Sequence, residues 1–155
     1  MSELMKAKCI SQCVILCTCN RTEVYFCGSP AAPEYVDKLL AEYSKIPKEI
    51  FSAKKRFYQD EKSIIHLFKV ASGIDSMVIG EDEILGQTKK AYHSAKEADT
   101  VSHELNIIFQ SAIACAKKIK TETALSKTSV SIASLAANEA AKLGGNMIFN
   151  SCDTV

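Results

Sequence analysis

Cys19 is the residue of this chain whose neighbours best suit it to act as a nucleophile. It follows a short apolar run, residues 13–17, whose β-forming side chains predict a buried strand. Strand ends present reactive groups on a rigid scaffold, and a guanidinium such as that of Arg21 favours the thiolate form of a nearby thiol. Spacing alone leaves two interpretations open, a nucleophile and a small buried apolar residue, and the second is the commoner fate of a free cysteine.

Arg21 and Glu23 extend the candidate site onto a second β-like run, residues 22–27, which Gly28 closes. Asn20 favours turns, so the connection between the two runs predicts a β-hairpin. The guanidinium fork of Arg21 suits binding of a carboxylate or a phosphate. The alternative is that Arg21 is a surface arginine without a ligand. Glu23 is expected to pair with Arg21 or with a substrate ammonium group.

A metal site is the other chemistry that this region suggests. Cys13, Cys17 and Cys19 recur with the strand period of two, which predicts that they share one face. No Cys-x-x-Cys pair exists and no histidine is near in sequence, so a zinc site is poorly supported. Core packing is the better prediction for Cys13 and Cys17.

His66, Ser76 and Gln87 are the candidates in the second half of the chain. His66 falls nearly opposite a helical stripe formed by Ile64, Leu67, Phe68 and Ala71, and either proton transfer or a structural role fits it. Ser76 lies in a short connection where its hydroxyl could cap a helix or touch a substrate. Gln87 flanks an apolar stripe, and a buried amide there must tie down a loop or meet a ligand.

The elements that must position these residues predict an α+β fold, in which a small antiparallel sheet packed with helices is followed by a helical subdomain. We expect a sheet subdomain over residues 1–58, a helical subdomain over 59–146 and a tail over 147–155. A third short strand is possible at 56–58, and Asp60 is a plausible N-cap. The expected helices include Val36 to Tyr43, a helix after Asp60, 82–96, a long helix from His103, and 130–143.

Composition sets limits on the function. The 155 residues are 47% hydrophobic and carry a net charge of +1, so binding of nucleic acid by bulk charge alone is not indicated. Seven cysteines, an odd number, and the lack of a secretory or membrane-spanning segment predict a reduced cytoplasmic protein. No Gly-x-Gly-x-x-Gly segment is present, so a dinucleotide site of the usual kind is not expected.

Two long motifs and a shorter one carry a family resemblance. Residues 14–25 (VILCTCNRTEVY) and 66–87 (HLFKVASGIDSMVIGEDEILGQ) closely resemble the signatures of the glutamyl-tRNA reductase family, and residues 127–137 (KTSVSIASLAA) are similar as well. The motifs occur in the expected order, and the resemblance runs from about Ile10 to Leu143. It implies reduction of glutamyl-tRNA to glutamate-1-semialdehyde with NADPH, the first committed step of five-carbon tetrapyrrole synthesis.

The resemblance also implies roles for individual residues. Cys19 would capture the glutamyl group as a thioester, and His66 would assist the chemistry. The glutamate pocket would be lined by Thr18, Asn20, Arg21, Ser76, Glu81, Asp82, Glu83 and Gln87. Asp82 and Glu83 stand where the family often shows Pro-Gln, so that wall of the pocket departs from the family pattern.

The resemblance sets further expectations for the chain as a whole. The family's first strand, its NADPH-binding domain and its C-terminal dimerisation helices have no counterpart in the motifs found, so we expect slow hydrolysis of glutamyl-tRNA without NADPH oxidation. Glutamate-1-semialdehyde aminomutase is a possible partner, and the full-length family enzyme is expected to be a homodimer. The alternative is a non-catalytic binding module on the same fold, which docks a regulatory protein or haem through Cys9 or Cys13.

Overall fold

The computed structural model describes residues 2–76 and 83–123, and within them a β-hairpin is packed between helices. The predicted α+β class is therefore confirmed. The elements in chain order are α1 Ser2–Met5, β1 Ile10–Cys17, β2 Thr22–Gly28, α2 Ala32–Ser44, α3 Lys48–Lys54, α4 Glu61–Ala71, α5 Glu83–Glu97 and α6 His103–Glu122.

The predicted hairpin is present, with β1 and β2 antiparallel and Cys17 opposite Thr22 at the turn end. The register shifts between Ile10 and Gln12, where a bulge changes which side of the sheet the strand residues face. Ile10 and Cys13 consequently pack on the same side although they are three positions apart. A strand without a bulge would place them on opposite faces.

The two faces of the hairpin bury different clusters. One face packs against α1 and α2 through Leu4, Ile10, Cys13, Ala32 and Val36. The other face contributes Val14 to a larger cluster shared with α4, α5 and α6. That cluster consists of Val14, Leu67, Ala71, Leu85, Tyr92, Ala95, Leu105, Phe109, Ala112 and Ala116.

Helices α5 and α6 each bury an apolar stripe, and Ile84, Thr88 and Ala95 are among the buried residues of α5. Leu105, Phe109, Ala112 and Ala116 are buried on α6. The stripe predicted for α4 is wrong at Ile64, which is exposed, whereas Val70 is fully buried against Leu16 and Ile84. Helix α4 is therefore rotated relative to the predicted stripe.

Three other expectations also concern the chain's organisation. No strand forms at 56–58, which is an extended connection between α3 and α4, and α3 itself was not expected. Asp60 directly precedes α4 as predicted, but its side chain makes no capping hydrogen bond. The helix predicted at 130–143 lies outside the described residues, and the subdomain boundaries at 58 and 146 stay a prediction.

The β1 strand also anchors the start of α6. Oε1 of Gln12 accepts hydrogen bonds from the backbone N–H groups of Ser102 at 3.0 Å and Leu105 at 3.2 Å. Helices leave their first N–H groups without an intrahelical acceptor, and here a strand side chain supplies one. None of the helices in the described part of the chain has the length and apolarity needed to cross a membrane.

Candidate functional site

The turn between β1 and β2 is held by the side chain of Thr18. Its Oγ1 accepts hydrogen bonds from the backbone N–H groups of Asn20 and Arg21, each at 3.1 Å. The Thr18 N–H in turn donates to the Arg21 carbonyl at 2.9 Å. Cys19 lies between these fixed residues and is exposed. The turn therefore presents the Cys19 thiol to solvent rather than to the core.

Exposure distinguishes the cysteines of the hairpin. Cys13 has no exposed surface, and burial raises the pKa of its thiol, which confirms that it is a packing residue. Cys17 is exposed and its Sγ lies 3.5 Å from Oγ1 of Thr22, so the prediction that Cys17 packs in the core is wrong. Strand β1 ends at Cys17, beyond the part of the strand that the helices cover. The described residues contain no group of His, Cys, Asp and Glu suited to a metal ion.

Arg21 is held by two carboxylates. A terminal nitrogen of its guanidinium donates to Oδ2 of Asp75 at 2.8 Å and to Oε1 of Glu23 at 3.2 Å. The other terminal nitrogen donates to the Asp75 backbone carbonyl. The expected pairing of Arg21 with Glu23 is confirmed, and Asp75 is a second acidic partner that the sequence did not indicate. Within the described ranges the Cys19 thiol makes no hydrogen bond to this guanidinium.

Glu23 is the centre of the arrangement. Its Oε1 lies 2.9 Å from Nε2 of His66, and its Oε2 accepts a hydrogen bond from the Tyr25 hydroxyl at 2.5 Å. Burial opposes ionisation of Glu23, but the hydrogen bonds from His66 and Tyr25 and the charge of Arg21 outweigh it and lower its pKa. Glu23 is therefore a carboxylate near neutral pH. We call Arg21, Glu23, Tyr25, His66 and Asp75 the polar cluster.

His66 is fixed from two sides. A carboxylate can only accept, so the contact with Glu23 places a proton on Nε2 and leaves Nδ1 as the unprotonated nitrogen of the neutral ring. The Tyr58 ring stacks on the imidazole with centroids 4.6 Å apart and planes 24° apart. The arrangement can therefore accept a proton at Nδ1 while Glu23 stabilises the charged ring.

The remaining predicted pocket residues that the structure describes are Ser76, Glu83 and Gln87. Ser76 is half-buried and directly follows Asp75. Glu83 opens α5, and its Oε1 accepts a hydrogen bond from Nε2 of Gln87 at 2.9 Å, a contact within one helix. None of these three residues hydrogen-bonds to the polar cluster within the described ranges. Glu81 and Asp82 lie outside those ranges.

The contacts of the polar cluster include three residues that were not proposed as site residues, Tyr25, Tyr58 and Asp75. Asp75 meets Arg21 across 54 positions of sequence, a separation at which no local pattern gives a signal. The pKa of Asp75 is lowered, chiefly by its hydrogen bond with Arg21 against an opposing effect of burial, and the charges of His66 and Arg56 add to the effect. Tyr25 is the only one of the three that a strand alternation from Arg21 and Glu23 could have suggested.

The model of one protein family, described as the N-terminal domain of glutamyl-tRNA(Glu) reductase, matches residues 1–123 of this chain. The chain belongs to this family. A glutamyl-tRNA reductase from Hahella chejuensis is 41% identical over 140 residues, which are 89% of this chain and 33% of that protein. A glutamyl-tRNA reductase from Bacillus subtilis is 36% identical over 149 residues, 95% of this chain and 33% of that protein.

A solved structure agrees with the assignment to the glutamyl-tRNA reductase N-terminal domain family. Glutamyl-tRNA reductase from Methanopyrus kandleri superposes with a TM-score of 0.72 at 33% sequence identity, covering 91% of this chain and 33% of that protein. The chain thus spans about a third of the length of the reductases that it resembles.

Proposed function

We propose that this chain is the part of a glutamyl-tRNA reductase that captures the glutamyl group, with Cys19 as the nucleophile. The observation that carries the proposal is the position of Cys19, an exposed thiol in a fixed turn whose next residue but one, Arg21, belongs to the polar cluster. Family membership supports the substrate, because the relatives are named for glutamyl-tRNA.

The proposed step is transesterification at the ester that joins glutamate to the tRNA. The Cys19 thiolate attacks the ester carbonyl carbon, an S–C bond forms, and the C–O bond to the terminal ribose breaks. The thiol proton passes to the ribose oxygen, so the products are an enzyme-bound glutamyl thioester and uncharged tRNA. No electrons are exchanged in this step, and it needs no cofactor.

His66 is proposed as the base that carries this proton. Its Nδ1 would accept the proton of the thiol and return it to the departing ribose oxygen. The imidazolium formed in between gains a charge-assisted hydrogen bond to Glu23, which is already ionised. Glu23 is a positioning residue in this scheme because it acts only through His66.

Arg21 is proposed to bind the side-chain carboxylate of the glutamyl group. Its guanidinium is already engaged, but Asp75 is the more exposed of its two acidic partners, with 42% of the side chain accessible against 17% for Glu23. A substrate carboxylate would therefore replace Asp75 rather than Glu23. Thr18 would act by holding the turn, and Asn20, Ser76, Glu81, Asp82, Glu83 and Gln87 stay proposed pocket residues.

NADPH is the reductant that family membership implies, but the residues of this chain do not fit it. The sequence has no glycine-rich phosphate loop, and the described fold is a two-stranded antiparallel hairpin with helices rather than a parallel βαβ unit. We therefore derive no hydride-transfer step from this chain. Reduction of the thioester to glutamate-1-semialdehyde is assigned to the reductase as a whole, and this chain alone is expected to form and slowly hydrolyse the thioester.

The partners and the non-catalytic alternative stay predictions. Glutamate-1-semialdehyde aminomutase, homodimer formation and a cytoplasmic location belong to the proposal for the whole reductase. Haem docking through Cys13 is disfavoured, because that sulfur is fully buried, whereas Cys9 is half-buried. No contact in the described residues favours the binding module over the thioester chemistry.

Trapping of the thioester tests the proposal. The chain is mixed with glutamyl-tRNA carrying labelled glutamate, quenched in acid, and analysed by peptide mass for a glutamyl adduct. We expect the adduct on Cys19, and its loss in Cys19→Ser together with loss of the chain-dependent release of glutamate. Equal release of glutamate by the parent and by Cys19→Ser would refute the nucleophile.

Cys17 provides the matched control, since it is exposed like Cys19 and only two positions away. Cys17→Ser should retain the adduct and the rate of glutamate release. Alkylation by iodoacetamide near neutral pH gives a second comparison, because Cys19 should react faster than Cys17 if its surroundings activate it. A binding module predicts no such difference between two exposed thiols.

A further inference from the structure

The connection between α3 and α4 exposes aromatic and basic side chains together. We call residues 54–58 the aromatic–basic segment; it contains Lys54, Lys55, Arg56, Phe57 and Tyr58. Helix α3 ends at Lys54, and the following residues up to Gln59 belong to no helix or strand. Phe57 is 54% exposed and Tyr58 is 38% exposed. Phe57 and Tyr58 are adjacent in sequence and both exposed, so they form a small accessible aromatic surface beside the cations of the segment.

The aromatic–basic segment is continuous with the proposed catalytic residues. Tyr58 stacks on His66 at 4.6 Å, and His66 contacts Glu23 at 2.9 Å. Glu23 in turn contacts Arg21, whose backbone N–H is held by Thr18 next to Cys19. A ligand resting on Tyr58 would therefore lie one side chain away from His66 of the polar cluster. A shallow concavity of about 500 Å³ opens there, lined by Phe57, Tyr58, Gln59, Asp60, Glu61 and Lys62.

The charge of the aromatic–basic segment is partly neutralised and partly free. Lys55 forms an ion pair with Asp37 on α2. Arg56 and Lys54 are exposed and form no ion pair within the described residues. The charge of Arg56 also reaches the site, because it adds to the lowering of the pKa of Asp75 that Arg21 and then His66 cause against the opposing effect of burial.

We propose that Arg56, Phe57 and Tyr58 bind the unpaired 3′ end of the tRNA, with bases stacked on the exposed rings and a backbone phosphate on Arg56. This inference rests on the proposed function, which it deepens by naming the contact surface for the carrier. It accounts for a chain with a net charge of only +1 that must still recognise a polyanion. Local cations with aromatic rings bind single strands through stacking and phosphate contacts.

The features of the segment favour a single strand over a duplex or a protein. A base pair hides the faces of its bases, so exposed rings gain little from a duplex, whereas unstacked bases can lie on them. Within residues 54–58 only Lys54 and Arg56 lack an ion pair, too few for strong binding of a duplex by charge alone. The aminoacyl ester is carried by the terminal nucleotide, which is the group that must come to Cys19.

Binding of uncharged RNA to the intact chain tests the inference. The probe is a fluorescent RNA hairpin with an unpaired CCA 3′ end, and the second probe is the same hairpin with a blunt end. We expect the parent to bind the CCA hairpin more tightly than the blunt one. Phe57→Ala should raise the Kd for the CCA hairpin about tenfold and leave the Kd for the blunt hairpin nearly unchanged.

Arg56→Ala separates the phosphate contact from stacking. Its Kd should rise, and the slope of log Kd against log salt should fall by about one, while Phe57→Ala keeps the slope of the parent. Tyr43→Ala is the matched control, because Tyr43 is an aromatic residue with 69% exposure on α2, outside the segment. It should bind both hairpins as the parent does.

Several results would overturn the inference. Unchanged binding in both Phe57→Ala and Arg56→Ala would exclude the surface, and an equal loss for the two hairpins would show that it does not recognise the single strand. Self-association of the parent that Phe57→Ala abolishes, without any effect on RNA, would make the surface a protein interface. Circular dichroism of each variant confirms that it is folded.

The inference and the proposed function fail separately. Uncharged RNA carries no ester, so its binding does not depend on Cys19, and Cys19→Ser should bind the CCA hairpin with the Kd of the parent. If the glutamyl adduct did not form on Cys19 but binding still depended on the CCA end, the nucleophile would be wrong and the RNA-binding surface would stand. If the adduct formed on Cys19 but binding did not depend on the CCA end, the RNA-binding surface would be wrong and the nucleophile would stand.

Discussion

Oε1 of Glu23 lies 2.9 Å from Nε2 of His66, which joins a strand of the hairpin to the middle of α4. The contact fixes the imidazole tautomer and supplies a counter-charge for the protonated ring. We expect Glu23→Gln to slow thioester formation about tenfold at neutral pH, because the neutral amide no longer stabilises an imidazolium. The measurement is the single-turnover rate of adduct formation on Cys19 across pH.

The same change made in a variant that lacks His66 tests whether Glu23 acts through His66. In His66→Asn the further change Glu23→Gln should have little effect on the rate, because residues that act as a unit are not additive. Tyr25→Phe removes the hydrogen bond to Oε2 but keeps the carboxylate, so it should slow the reaction less than Glu23→Gln does. An equal effect of Glu23→Gln with and without His66 would argue against a positioning role.

Stability should depend on pH through Glu23. Its pKa in the folded chain is lowered from the ordinary value of 4.5, so its contribution is complete above that pH and is lost as the pH falls through the folded-state pKa. The free energy of unfolding of the parent should therefore fall more between pH 6 and pH 3 than that of Glu23→Gln. Urea titrations at four pH values across this range make the comparison. Parallel pH profiles for the two proteins would contradict the assignment.

Asp75 is expected to compete with the substrate for Arg21. Asp75→Asn removes the carboxylate charge but keeps an oxygen acceptor, so Arg21 should attract the glutamyl carboxylate more strongly. The concentration of glutamyl-tRNA at half-maximal adduct formation should fall severalfold. The free energy of unfolding should change by less than about 1 kcal/mol, since the pair with Asp75 is partly exposed.

A matched change of Arg21 checks the same relationship from the other side. Arg21→Lys keeps a positive charge but cannot reach Glu23 and Asp75 with one planar fork, so the half-maximal concentration should rise. If Asp75→Asn instead weakened binding of glutamyl-tRNA, Asp75 would be part of the binding surface and not a competitor.

The helices and strands that were predicted correctly are those indicated by sequence patterns of neighbouring residues. The hairpin follows from two β-forming runs around Asn20, and α6 follows from a long apolar stripe that begins near His103. The rotation of α4 was not predictable in this way. Ile64 and Val70 are equally apolar, and the burial of Val70 against Leu16 and Ile84 is decided by tertiary packing.

The candidate site divides in the same way. Pairing of Arg21 with Glu23 could be predicted, since Glu23 lies on β2 and Arg21 is only two positions before it in sequence. The contacts of Asp75 with Arg21 and of Tyr58 with His66 join separate elements, and only the folded chain brings them together. Exposure of Cys19 also depends on where β1 ends. Cys13 lies inside β1 and is fully buried, whereas Cys19 lies two positions beyond the end of the strand and is exposed.

Gln12 accepts hydrogen bonds at the start of α6, and we expect its replacement to lower the stability of the chain. Gln12 is buried, and its Oε1 accepts from the N–H groups of Ser102 and Leu105 at 3.0 and 3.2 Å. Gln12→Leu fills a similar volume but leaves both N–H groups without that acceptor, which should lower the free energy of unfolding by about 1–3 kcal/mol. Ser11→Ala is the control, since the Ser11 hydroxyl is exposed and its loss should change stability by less than about 1 kcal/mol. Urea denaturation of the three proteins at neutral pH measures the difference. If Gln12→Leu were as stable as the parent, water or another group would have to satisfy the first turn of α6, and the strand would not be its anchor.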